Sequence, residues 1–85
     1  VTASPTDARI AATILRLTEA RTPRTICPSE AARALSADWR PLMPRIRAVA
    51  ATLPQIEATQ GGARVDAETA IGPICLRRLR PGRPG

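Results

Sequence analysis

Ile10, Ile14 and Leu17 recur at i, i+4 and i+7, with Ala11 and Leu15 widening the stripe and Arg9, Arg16 and Glu19 lying off it. That spacing predicts a helix with one buried face. Ser4-Pro5-Thr6-Asp7 reads as its start, Ser4 as the cap, Pro5 as the first helical residue and Asp7 as the carboxylate of a capping box. The helix is predicted to end near Ala20, because Arg21-Thr22-Pro23-Arg24 breaks the pattern. Thr25-Ile26-Cys27 is a β-prone triplet with room only for a small strand. Pro28-Ser29-Glu30 opens a second helix of about two turns with Ala31, Ala32 and Leu35 as its apolar side, and Glu30 stands where a negative charge opposes the helix dipole. A helix so short is marginal alone and must dock on its neighbours.

Ser36-Ala37-Asp38 reads as a turn, with Asp38 capping a third helix from about Trp39 to Leu53. Leu42, Ile46, Val49 and Leu53 give its core stripe. Pro41 suits a first turn. Pro44 removes the amide that would bond to Arg40, so a kink or a true start nearer Met43 is expected. Pro54 ends the helix, and alternation then marks two strands, Gln55 to Gln60 and Gly72 to Leu79. Gly61-Gly62 is a turn, and Val65 to Ala70, inside the long connection, has room for one helical turn. The order helix, short strand, short helix, third helix, strand, long loop, strand is that of a winged helix-turn-helix: mainly α, with a small antiparallel sheet and a two-stranded wing. Its core is expected to join the three helical stripes to Ile26, Ile56, Ile74 and Leu76. Residues 1–79 are expected to form this single domain and 80–85 a disordered basic tail, since Arg80-Pro81-Gly82-Arg83-Pro84-Gly85 has no apolar residue.

Composition changes the picture in three ways. Of 37 hydrophobic residues 16 are Ala, Tyr and Phe are absent and Trp39 is the only aromatic residue, which favours helix packing over a sandwich. His is also absent, which removes the commonest general base and metal ligand. With no Lys and no glycine-rich phosphate loop either, the residues for nucleophilic or phosphoryl chemistry are missing, and no enzyme activity, cofactor or metal is expected. No apolar run approaches the roughly 18 residues of a membrane span.

The formal charge is +6, and all thirteen cations are Arg. Residues 1–76 carry nine of them against seven acids, a net +2, while Arg77, Arg78, Arg80 and Arg83 put +4 into the last nine residues. Such a balance points to an anionic partner such as nucleic acid. The arginine, alanine and proline excess also matches the coding bias of a GC-rich bacterial genome. Cys27 and Cys75 are too few for a zinc site, which takes four ligands. The chain lacks the charged and apolar regions of a secretory signal, so a cytoplasmic, reducing setting with buried or half-buried free thiols is expected. In a winged helix the short first strand pairs with the last. Cys27 and Cys75 would then share the outer sheet face, the geometry a disulfide needs.

Cys27-Pro28-Ser29-Glu30, Trp39-Arg40-Pro41-Leu42-Met43-Pro44, Thr59-Gln60-Gly61, Val65-Asp66 and Gly72-Pro73-Ile74 through Leu76-Arg77 together resemble the bacterial winged-helix family catalogued as domain of unknown function 3253. The resemblance spans about residues 8–78 and is most specific over Trp39 to Pro44. It implies the winged-helix fold and carries no established biochemistry. In that family's pattern the position of Cys75 is more usually Arg.

In a helix-turn-helix the second helix of the pair enters the major groove, so the first functional expectation is a DNA-binding module, a candidate transcriptional regulator. Its candidate contacts are Arg40, Arg45 and Arg47 on the third helix and Gln60 and Arg64 on the wing. The bland reading of the arginine trio is an exposed helix kept soluble, and Pro41 and Pro44 count against groove insertion. Trp39 reads first as a core anchor. The alternative function is a non-enzymatic protein-interaction or accessory domain, with Trp39 and the third-helix surface as the partner site, since Trp and Arg are typical hot spots. Asp66 and Glu68 are expected to pin the wing loop through Arg64 or Arg77. Arg77, Arg78, Arg80 and Arg83 form either a basic arm that attracts phosphate or an inert solvated end.

Overall fold

The computed structural model describes residues 5–79. The Ser4 cap and the 80–85 tail therefore lie outside the described residues. Three helices, α1 (Asp7–Arg21), α2 (Pro28–Leu35) and α3 (Met43–Thr52), pack with three strands, β1 (Ile56–Gln60), β2 (Ala63–Val65) and β3 (Cys75–Arg78). The strands form one antiparallel sheet in the order β2-β1-β3.

The cap of α1 is Thr6, whose hydroxyl accepts from the Arg9 amide at 3.1 Å. Pro5 thus precedes the helix instead of opening it. Of the predicted stripe Ile10 and Ile14 have no exposed surface, while Ala11, Leu15 and Leu17 are half-buried; the last buried position falls to Thr18, whose hydroxyl donates to Ile14 O at 2.7 Å. Cys27 precedes α2 in extended conformation, Pro28 takes its first position, and the Glu30 carboxylate accepts from the Cys27 amide at 3.0 Å. Glu30 therefore satisfies one of the donors that a helix start leaves open, besides opposing the dipole.

The third helical segment starts late, as its prolines predict. Arg40–Leu42 winds as a 3-10 turn closed by Leu42 N to Trp39 O at 3.0 Å, and α-helical bonding begins at Met43. Pro44 then sits in the first turn of α3, where its missing N–H has no helical partner to lose. Asp38 caps nothing; its amide donates to Ser36 Oγ at 3.1 Å and completes the turn. Ile46, Val49 and Ala50 face the core, while Leu53 closes the helix half-buried.

The first strand is reduced to a single bridge, Ile26 with Leu76, so the short segment does pair with the last strand. The sheet holds a strand that the alternation missed. Gly61 and Gly62, at φ of 60° and 86°, form a two-residue turn between Gln60 and Ala63, and Ala63–Val65 returns antiparallel along β1. Two successive positive φ values suit the right-handed twist of a hairpin and favour glycine at both positions. Further on, Ala70 N bonds to Asp66 O at 3.0 Å, giving the single helical turn expected there. The core joins Ile10, Ile14, Ala31, Ala32, Ile46 and Val49 from the helices to Ile26, Ile56, Ile74 and Leu76. Full burial of each large aliphatic contributes about 1.5 to 3 kcal/mol.

Candidate nucleic-acid interface

α2, the turn and α3 form a helix pair, and β1 and β2 a hairpin; the sequence candidates are spread over both. Arg45 leaves α3 toward α1 and pairs with Asp7 at 2.6 Å, both side chains well exposed. Arg47 turns to the loop after β2, where Nε donates to Ala67 O at 2.8 Å and Nη2 to Ala70 O. Gln60, at the end of β1, donates from Nε2 to Ile71 O at 2.6 Å and to Pro73 O at 3.1 Å. Arg47 and Gln60 thus hold one loop from two sides. Arg64 remains 69% exposed on β2, with Nε 3.6 Å from Glu57 Oε2.

The loop is not pinned by Asp66 or Glu68 acting on Arg64 or Arg77. Asp66 Oδ1 accepts from the Glu68 and Thr69 amides at 2.8 and 3.2 Å, a local turn, while both arginines converge on Glu57. Glu57 lies on the sheet between them, nearly buried, and Arg77 donates to it at 2.5 Å. Arg78 reaches across to α1, where its Nη2 donates to Leu15 O at 3.1 Å and Glu19 Oε1 at 3.0 Å. Arg77 and Arg78 therefore hold strand to strand and strand to helix. Of the proposed basic arm, Arg80 and Arg83 lie outside the described residues.

Arg40 is placed differently. Its guanidinium carbon lies 4.7 Å from the centre of the Trp39 ring, and Arg33 from the last turn of α2 lies at the same 4.7 Å. Both cations therefore lie within cation–π range of one indole. Trp39 is half-buried and packs against the core, as an anchor should, while Arg33 and Arg40 are exposed. Neither makes an ion pair among the described residues, although Asp38 is next in sequence to Trp39. Arg33 was not among the sequence candidates. Its signal was the spacing Arg33, Trp39, Arg40 across a helix end and a turn, which becomes a cluster only once the turn's geometry is known.

The remaining surface of α3 carries Pro44, Ala51 and Thr52 exposed and Ala48 half-buried; of these only Thr52 has a side-chain hydrogen-bonding group, and its hydroxyl donates to Val49 O at 2.7 Å. Cys27 and Cys75 are free thiols; Cys27 is exposed, against the expectation that both are covered, because it stands outside the sheet as the residue before α2. Among the described residues no group of three or more Cys, Asp or Glu side chains is placed to hold a metal ion, and no helix is long and apolar enough to cross a membrane.

Fold and site together define a small, mainly helical domain with a three-stranded antiparallel sheet, an arrangement consistent with a winged helix. Residues 7–79 match the family model described as Protein of unknown function (DUF3253), and the chain belongs to that family. A comparison with curated proteins gave no match.

Proposed function

We propose that this domain is a non-enzymatic duplex-DNA-binding module that grips the phosphate backbone through Arg33 and Arg40, held on Trp39. The observation that carries the reading is the pair of guanidinium groups at 4.7 Å from one indole ring, both residues exposed and neither paired with an acid among the described residues. Stacking on an aromatic face fixes the guanidinium plane, so less rotamer freedom is lost when its N–H groups meet a phosphate. The pair sits between α2 and α3, where a helix-turn-helix meets the DNA backbone. The net charge of +6 supports an anionic partner. Arg64 on the wing supplies a further phosphate contact. With Pro44, Ala48 and Ala51 on its outer surface and the Thr52 hydroxyl turned back to Val49 O, α3 offers base edges little to read, so discrimination between sequences is weak. A cytoplasmic bacterial transcriptional regulator is the setting in which such a module fits.

Fluorescence anisotropy of a labelled duplex across a salt series tests the reading. Binding is expected at low salt and falls as salt rises. The double variant Arg33→Ala/Arg40→Ala should lower affinity on every sequence and flatten the log-log salt slope by about 1.8, close to 0.9 per lost phosphate contact. Undetectable binding at low salt, or an unchanged double variant, defeats the proposal. A second reading, a protein-interaction domain, uses the same Trp39 corner with the small apolar surface of α3. It is favoured if a protein partner binds without salt dependence and Trp39→Ala abolishes that binding.

A further inference from the structure

The bridge between Ile26 and Leu76 also fixes where the two thiols stand. The Ile26 amide donates to Leu76 O and the Leu76 amide to Ile26 O, both at 2.8 Å, so these residues form a hydrogen-bonded antiparallel pair. In such a ladder the residue after Ile26 opposes the residue before Leu76, which sets Cys27 against Cys75. Cys27 keeps the extended backbone this requires, with φ −85° and ψ 144°. The ladder stops there because Pro28 has no N–H for the next hydrogen-bonded pair. The Cys27–Cys75 position next to this isolated bridge is therefore of the non-hydrogen-bonded kind, for which antiparallel strands typically set Cα atoms about 4.5 Å apart. A disulfide accepts Cα separations of roughly 4.4 to 6.8 Å.

Side-chain direction agrees. Opposed residues on an antiparallel pair share a face, and the face alternates along each strand. Ile26 and Leu76 are buried in the core, at 1% and 0% exposure, so both cysteines belong to the outer face. Cys27 is exposed and Cys75 half-covered. A groove lined by Cys27, Pro28, Met43, Pro73 and Ile74 leaves room for a small molecule beside the first thiol.

We propose that Cys27 and Cys75 are a reversible redox modification site, oxidised to a cross-strand disulfide by a low-molecular-weight disulfide of the glutathione class. The Cys27 thiolate attacks one sulfur of the small disulfide; a protein-to-small-molecule S–S bond forms, the original S–S bond breaks, and one small thiol leaves. The Cys75 thiolate then attacks the Cys27 sulfur, the protein disulfide forms, and the second small thiol leaves. Two protein thiols give up two electrons and two protons, and the small disulfide takes them up as two thiols. The new bond joins the start of α2 to β3, so the oxidation state is written onto the first helix of the helix-turn-helix.

The full chain, equilibrated with mixtures of reduced and oxidised glutathione, quenched with an alkylating agent and analysed by intact-mass and peptide mass spectrometry, tests this directly. The expected product is a monomer lighter by two hydrogen atoms, with Cys27 and Cys75 linked and closed to alkylation, and restored by dithiothreitol. Cys75→Ser, checked for folding by circular dichroism, should instead carry one glutathione on Cys27. Persistence of that adduct in the parent chain, disulfide-linked dimers as the main product, or two alkylatable thiols across every mixture would each overturn the proposal. The parent chain's own product decides the matter even if a serine variant does not fold.

Discussion

On the sheet side of the molecule Arg64 and Arg77 converge on Glu57, Arg78 crosses to Glu19 and Leu15 O, and Arg47 holds the carbonyls of Ala67 and Ala70. At the corner between α2 and the 3-10 turn, Arg33 and Arg40 lie 4.7 Å from the centre of one indole and pair with no acid among the described residues. One residue type thus serves two ends. Where a carboxylate or an unsatisfied carbonyl lies within reach, arginine's fork of donors closes the fold; where only an aromatic ring is near, the same fork remains open to a ligand. Net charge cannot separate the two regions, whereas the inventory of partners can.

The largest effect that would sharpen this contrast is expected from Arg47→Ala. It leaves two loop carbonyls without their charged donor, and hydrogen bonds to charged groups contribute about 1.5 to 3 kcal/mol each. A loss of about 3 kcal/mol in urea unfolding, the lower end of the sum because the side chain is only half-buried, is expected, with DNA affinity of the folded fraction retained. Equal stability would mean that water replaces Arg47 in the loop. Next comes Arg33→Ala/Arg40→Ala, for which the contrast requires the reverse: DNA affinity down by tenfold or more, about 1.4 kcal/mol upward, and stability down by no more than about 1 to 2 kcal/mol, since each exposed cation–π contact contributes about 0.5 to 1. A double variant that unfolds more readily than Arg47→Ala would make the corner structural and break the comparison.

Glu57→Gln should cost about 1 kcal/mol, because it weakens one nearly buried carboxylate's hold on two exposed arginines without emptying its site. It should also free Arg64 and Arg77, so DNA binding at low salt is expected to rise, a change the anisotropy series reads directly. Asp7→Ala is the smallest: its pair with Arg45 is solvent-screened, and a change under about 0.5 kcal/mol in chemical denaturation is expected.

How much of this could be read along the chain follows from the range of each interaction. The stripes Ile10/Ile14, Ala31/Ala32 and Ile46/Val49 were legible because helical burial repeats every three or four residues, and each of these side chains is buried. The late start at Met43 was legible because Pro44 acts through its own missing amide. The strand Ala63–Val65 was not read: three residues are too few for alternation to register, though two adjacent glycines after a strand do call for a partner immediately beyond them. The roles of Arg45 and Arg78 were out of reach. Their partners lie 38 and 63 residues away in Asp7 and Leu15, and only the packed fold brings those pairs together. Arg47 and Gln60 were singled out for their chemistry as donors, and they do donate, but to a loop whose path sequence reasoning left undrawn.

Trp39, with two guanidinium groups 4.7 Å from the centre of its ring, gives the molecule a built-in optical reporter. The chain has no tyrosine and no phenylalanine, so every photon of its ultraviolet emission comes from this one indole. A phosphate bound by Arg33 or Arg40 against the ring alters the quenching of that emission at the point of contact, whereas a ligand settling on the far side of the sheet leaves it dark to the event. Unlabelled protein can thus be titrated against any partner, and the spectrum itself tells which face was used.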